Sequence, residues 1–120
     1  MDILLPSTGR GPGVLVAHPW WGLNQTIRDY GAALAREGFV VGLPDLFDGS
    51  IATTIPDAET QMRANFETGG TKIEAALREL AGHAAIEGDG VGAVGFSYGG
   101  FHLLSLAAKP ELPLRRAVIY

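Results

Sequence analysis

The sequence predicts an α/β domain built on a doubly wound, mostly parallel sheet of four to five strands, and three observations carry that prediction. Four short runs, VLVA (14–17), FVVGL (39–43), VGAVGF (91–96) and RRAVIY (115–120), are rich in β-branched residues and nearly continuous in apolar ones. A strand that is apolar on both faces is buried on both faces, which is the condition of a parallel sheet covered by helices. Helical patterns fill the intervals between the runs, so the order reads β-α-β-α-α-β-α-β with right-handed crossovers. The length of 120 residues holds one hydrophobic core and therefore one domain.

Taken in order, DILL (2–5) is a weaker fifth strand ahead of VLVA. Thr26 is the expected N-cap of IRDYGAALARE, with Ile27, Tyr30 and Leu34 as the sheet-facing stripe and Gly38 as the terminating glycine. After FVVGL comes PDLFDGSIATTIP (44–56), the one long loop, placed beside a strand end where binding sites often lie. Residues 56–83 are helical twice over, with Gly69-Gly70 as the break and Ile73, Leu77 and Leu80 as the second apolar face. A further helix is expected over residues 98–108, stopped by Pro110. RRAVIY then forms the last strand, whose outer edge is unpaired and apolar, a template for self-association.

Composition excludes several function classes. A net charge of −4 gives no basic footprint for nucleic acid or an anionic membrane surface. The absence of cysteine removes disulfides, thiolate zinc sites and a cysteine nucleophile, and it fits a reducing compartment. MDILLPSTGR lacks the basic start and apolar core of a signal peptide, and no run approaches the ~20 apolar residues of a membrane span. A cytoplasmic protein acting on a small molecule is the resulting expectation. Without an export signal the sequon Asn24-Gln25-Thr26 is an accident of composition.

Gly95-Phe96-Ser97-Tyr98-Gly99 is a GxSxG pattern set between a buried strand and a helix. There the motif has mechanical meaning: the chain turns from strand to helix within about one residue, which strains the serine and exposes its hydroxyl at the sheet edge. Its bland alternative is a glycine-rich turn with an idle serine. An overlapping GxGxxG, residues 90–95, lies inside the strand and has no acidic residue about 20 positions on, so it is not a dinucleotide site. No GK[ST] follows a glycine-rich loop, which excludes a P-loop. HPWWGLN (18–24) follows the strand VLVA. Acyl transfer needs backbone N–H groups aimed at a developing oxyanion, one from the residue after the nucleophile and one from the loop after an earlier strand. Tyr98 supplies the first, and Trp20, in preference to Trp21, the second; the alternative is that both tryptophans only pack.

With elbow and loop in place, the chain resembles the dienelactone hydrolase family of α/β-hydrolases, through HPWWGLN, IRDYGAALAREGFVVGLPDLFDG and VGAVGFSYGG. The resemblance implies an incomplete α/β-hydrolase fold with residues 14–17 central, flanked by 39–43 and 91–96. It also implies a hydrolase of carboxylic esters or lactones that needs no cofactor or metal, with a triad in the order nucleophile, acid, histidine. Ser97 and Pro19 stand where the family's founding enzymes carry a cysteine nucleophile and its glutamate partner. The chain ends at Tyr120, before the strand ends from which the family's acid and histidine come. Among the histidines, His102 points away along the elbow's own helix, His83 lies at a helix end, and His18 is expected near Ser97, tying down the oxyanion loop. Asp45 and Asp48 follow a strand but precede the serine, the wrong order for the triad acid. The expectation is thus a partial hydrolase, residues 1–120, that lacks its base and acid. A non-catalytic α/β binding or structural module is the rival from another class, and an acyltransferase the rival within the enzymes.

Overall fold

The computed structural model describes all 120 residues. In chain order they form β1 (Asp2–Leu4), β2 (Gly11–Ala17), α1 (Gln25–Arg36), β3 (Val40–Leu43), α2 (Ile55–Ala64), α3 (Phe66–Ala81), β4 (Ile86–Gly95), α4 (Tyr98–Leu106) and β5 (Leu114–Ile119). The strands lie in the order β1-β3-β2-β4-β5. Every neighbouring pair is parallel except β1–β3, so the weak first strand closes one edge as an antiparallel ribbon. β2 is central, as expected, with Leu15 between Gly42 of β3 and Ala93 of β4.

The continuous apolar runs divide as two-faced burial requires. Leu15, Ala17, Val40, Val91 and Ala93 point into a core with Ile73, Leu77 and Leu80 of α3 and Leu103 of α4. Val16, Val41 and Leu43 point the other way, against Ile27 and Ala35 of α1. Period-two alternation thus feeds two cores from one strand, which is why the runs of β2, β3 and β4 carry no charged residue, whereas β5, at the edge, carries Arg115 and Arg116. No helix of the structure is long and apolar enough to cross a membrane.

Two boundaries differ from the sequence reading, each for a physical reason. The N-cap of α1 is Asn24, whose side chain accepts from the Ile27 N–H at 3.1 Å, so Thr26 lies inside the first turn. Asn and Thr both cap, and the asparagine three residues before the first apolar contact has the better reach. The break between α2 and α3 falls at Asn65, and Gly69 and Gly70 lie within α3. Gly69 serves a close approach: a Cβ there would strike the Tyr98 hydroxyl and approach the His102 ring to 2.7 Å. Gly38 does follow α1 with a positive φ of 105°.

Cover is incomplete at one side. α1 lies over β1 and β3, and no helix lies on the same face of β4 and β5, where Val14, Phe39, Val94 and Val118 line a shallow cavity with Arg115 and Arg116. Phe101 and Leu104 of α4 are exposed as well.

Candidate active site at the carboxyl edge of the sheet

Three loops leave the carboxyl ends of adjacent parallel strands: residues 18–24 after β2, 44–54 after β3 and the turn at 96–97 after β4. In an open α/β sheet this edge, on either side of the central strand, is where ligands bind.

The turn after β4 is as sharp as its glycines suggest. Ser97 has φ 49° and ψ −108°, a left-handed conformation that costs a non-glycine residue on the order of 1–3 kcal/mol. Backbone bonds hold it there: its N–H donates to the Tyr120 carbonyl at 2.8 Å and its carbonyl accepts from the Phe101 N–H at 2.8 Å. The residue is exposed while Tyr98, Gly99 and Gly100 behind it are buried. A Cβ on Gly95 would lie 2.6 Å from the Gly100 Cα, and one on Gly99 would strike the carbonyls of Ala17 and His18. Both flanking glycines are therefore required by backbone contact, and the start of α4 is pressed against the end of β2. The Phe96 N–H donates to the Ala17 carbonyl at 3.0 Å, which joins the two segments directly.

The loop after β2 is pinned by a buried histidine. The His18 Nε2 accepts from the Leu46 N–H at 2.9 Å. Its proton must then sit on Nδ1, which donates to the Pro19 carbonyl at 2.8 Å. Burial pushes the His18 pKa below its ordinary value, against smaller opposing effects from the Pro19 carbonyl and Asp45. The imidazole is neutral, so its 4.0 Å approach to Asp45 is not an ion pair. With both nitrogens committed to backbone, His18 has no lone pair left for Ser97. The Pro19 carbonyl also accepts from Gly22 N–H at 3.1 Å, closing a turn with Trp20 and Trp21 at its corners. The N–H groups of Trp20, Trp21 and Tyr98 are left without an intramolecular acceptor.

The remaining candidates sit as follows. His102 is buried against α3 with an unpartnered Nε2, among Tyr98, Phe66 and Phe101, and burial lowers its pKa. His83 accepts from the Ala85 N–H beyond α3, at the opposite edge of the sheet. Asp45 caps its own loop, accepting from Phe47 N–H at 3.0 Å and Gly49 N–H at 2.8 Å, and Asp48 pairs with Lys72 at 3.0 Å. None of these side chains is hydrogen-bonded to Ser97. Three supporting residues were not foreseen: Gln61, which donates to the Trp20 carbonyl at 2.7 Å, Asn65, whose carbonyl accepts from the Tyr98 hydroxyl at 2.8 Å, and Lys72, which donates to the Leu46 carbonyl at 3.3 Å. Their roles depend on contacts 26 to 41 positions apart in sequence, and no local spacing signals them.

The model of the dienelactone hydrolase family matches residues 3–120. The chain belongs to this family. Among curated relatives it is 35% identical over 118 residues to Protein usf of Aquifex pyrophilus, covering 92% of this chain and 51% of that one. It is 34% identical over 110 residues to the probable 2-oxo-3-(5-oxofuran-2-ylidene)propanoate lactonase of Bradyrhizobium sp., covering 88% and 44%. The solved structure m3DLH superposes with a TM-score of 0.83 at 27% identity, over 98% of this chain and 51% of that one. The chain thus spans about half the length of the relatives it matches. The family fold agrees with the five-stranded, mostly parallel sheet and its central β2.

Proposed function

We propose that this chain is the nucleophile-bearing part of a serine hydrolase of carboxylic esters or lactones. The observation that carries the reading is Ser97, exposed and held at a positive φ between β4 and α4. In the complete reaction the Ser97 hydroxyl attacks the acyl carbonyl and the Tyr98 and Trp20 N–H groups receive the oxyanion, with Trp21 N–H as the less favoured donor. Membership of a hydrolase family and a lactonase-named relative support the substrate class. No cofactor enters this chemistry.

The 120 residues offer Ser97 no base, because His18 is bonded to backbone on both nitrogens and His102 faces α3. The reading therefore takes residues 1–120 as one partial domain and expects the acid and histidine from residues outside this chain. What is left by itself is a serine hydroxyl without a base beside candidate oxyanion donors, so only an activated acyl group is attacked at a measurable rate. Hydrolysis of an activated aryl ester by the isolated chain should be slow and should fall to the solvent rate in Ser97→Ala. Turnover at ordinary esterase rates, or a rate that Ser97→Ala leaves alone, contradicts the reading.

The same missing base is the one observation that favours the rival, a binding module in which the elbow is only a turn. That rival expects no difference between wild type and Ser97→Ala toward any acylating reagent. The exposed apolar surface of β5 supports a further proposal, that the isolated chain self-associates through this edge.

A further inference from the structure

The two candidate oxyanion donors come from segments 78 positions apart, yet they must stand at a fixed spacing to share one oxygen. A continuous hydrogen-bonded brace joins them through the junction of α2 and α3. The Tyr98 hydroxyl donates to the Asn65 carbonyl at 2.8 Å, the Asn65 Nδ2 donates to the Gln61 carbonyl at 2.8 Å, and the Gln61 Nε2 donates to the Trp20 carbonyl at 2.7 Å. From this geometry we infer that Gln61 is a positioning residue of the oxyanion loop: by holding the Trp20–Trp21 peptide it fixes the Trp21 N–H beside the Trp20 N–H, and with it the turn that faces Tyr98.

A trans peptide is planar and its C=O and N–H point in opposite directions, so holding the Trp20 carbonyl fixes the direction of the Trp21 N–H. His18 and the Gly22 N–H do the same for the Pro19 carbonyl, and hence for the Trp20 N–H. The two consecutive peptides of the turn are therefore each held by their carbonyl side, and their N–H sides are left open. A donor on the carbonyl also polarises the amide and strengthens its N–H as a donor in turn. Without Gln61 the central peptide of a β-turn is the unit with most freedom to rotate. Burial around the Tyr98 hydroxyl, which raises its pKa to about 12, keeps that end of the brace a neutral donor at any working pH.

This inference rests on the reading of Ser97 as a nucleophile, and the test separates the two. With imidazole added to supply the missing base, the rate at which a fluorophosphonate forms an adduct on the chain is measured for wild type, Ser97→Ala, Gln61→Met and Gln61→Glu between pH 5 and 8, each variant relative to wild type at the same pH, with melting temperatures alongside. Gln61→Met is expected to react about tenfold more slowly, less than the ~10²–10³ lost with a whole oxyanion donor, at an unchanged melting temperature. Gln61→Glu, which has no proton to donate when ionised, is expected to match it at pH 8 and to recover toward the wild-type rate as the carboxyl protonates at low pH. A purely structural role for Gln61 gives no such recovery. Ser97-dependent labelling that is equally fast in all Gln61 variants overturns the inference and leaves the nucleophile standing. Absence of any Ser97-dependent adduct overturns both.

Discussion

Two regions of the molecule meet at β4 and could hardly be built more differently. At the carboxyl edge of β2, β3 and β4, His18 and Leu46 are fully buried and the loop carbonyls of Pro19, Trp20 and Leu46 each accept a side-chain hydrogen bond. At the outer side of β5 and α4, Val118 is 50% exposed, Leu104 62% and Tyr120 70%, the last stacked on Phe96 by one face only. The difference teaches that these 120 residues hold the loop after β2 and the turn after β4 under tight hydrogen-bonded control, on a sheet whose far side is bare. Hydrogen bonds are concentrated at the carboxyl edge around Ser97, and apolar exposure is concentrated on the opposite flank.

The largest effect should come from breaking the tight side. Gly99→Ala forces a Cβ into the Ala17 and His18 carbonyls, which are backbone and cannot rotate away. A loss of more than about 3 kcal/mol is expected, in the range reserved for unavoidable overpacking. Urea denaturation measures it, and a loss under 1 kcal/mol would show that elbow and β2 are not in contact.

Acid should loosen the same side next. Burial holds the pKa of both His18 and His102 below the ordinary 6.5, so each is neutral when folded and takes up a proton on unfolding once the pH falls below that value. Their contribution is complete above about pH 6.5 and is lost as the pH drops toward the folded values, at up to about 1.4 kcal/mol per pH unit for each histidine. His102→Leu should remove about half of that slope between pH 6.5 and 5.5, read from the urea midpoint at each pH. An unchanged slope would mean that His102 is not buried neutral.

The smallest effect on stability belongs to the open side. Val118→Lys is expected within about 0.5 kcal/mol of wild type, as for other exposed positions. Its effect on association is the informative one: light scattering at high concentration should show oligomers of the wild-type chain and fewer of the variant. A wild-type chain that stays monomeric contradicts association through β5.

Much of this contrast was legible in the sequence. Continuous runs such as VLVA can only be strands with two cores to feed, and GxSxG after VGAV has one mechanical setting. HPWWG follows β2 where the runs place it, and His18 is bonded to the Pro19 carbonyl and the Leu46 N–H of the neighbouring loop. The departures have two causes, contacts between residues far apart in sequence and competition between neighbouring caps. Gly69-Gly70 looked like a helix break because glycine usually is one, whereas the reason for Gly69 is a tyrosine and a histidine on another helix. Gln61 and Asn65 carry no local signal at all, since an amide on a helix surface looks alike whether it meets water or a carbonyl 41 positions away. Thr26 lost the cap to Asn24 by two positions, the ordinary uncertainty between neighbouring capping residues.

The most direct measurement on the central claim is where a fluorophosphonate binds covalently when imidazole supplies the base that the chain does not offer Ser97. Peptide mapping of the labelled chain by mass spectrometry is expected to place the adduct on Ser97, with none on Ser7, Ser50 or Ser105 and none anywhere in Ser97→Ala. An unlabelled chain, or an adduct spread alike over the four serines, would contradict the assignment of Ser97 as a strained and exposed nucleophile.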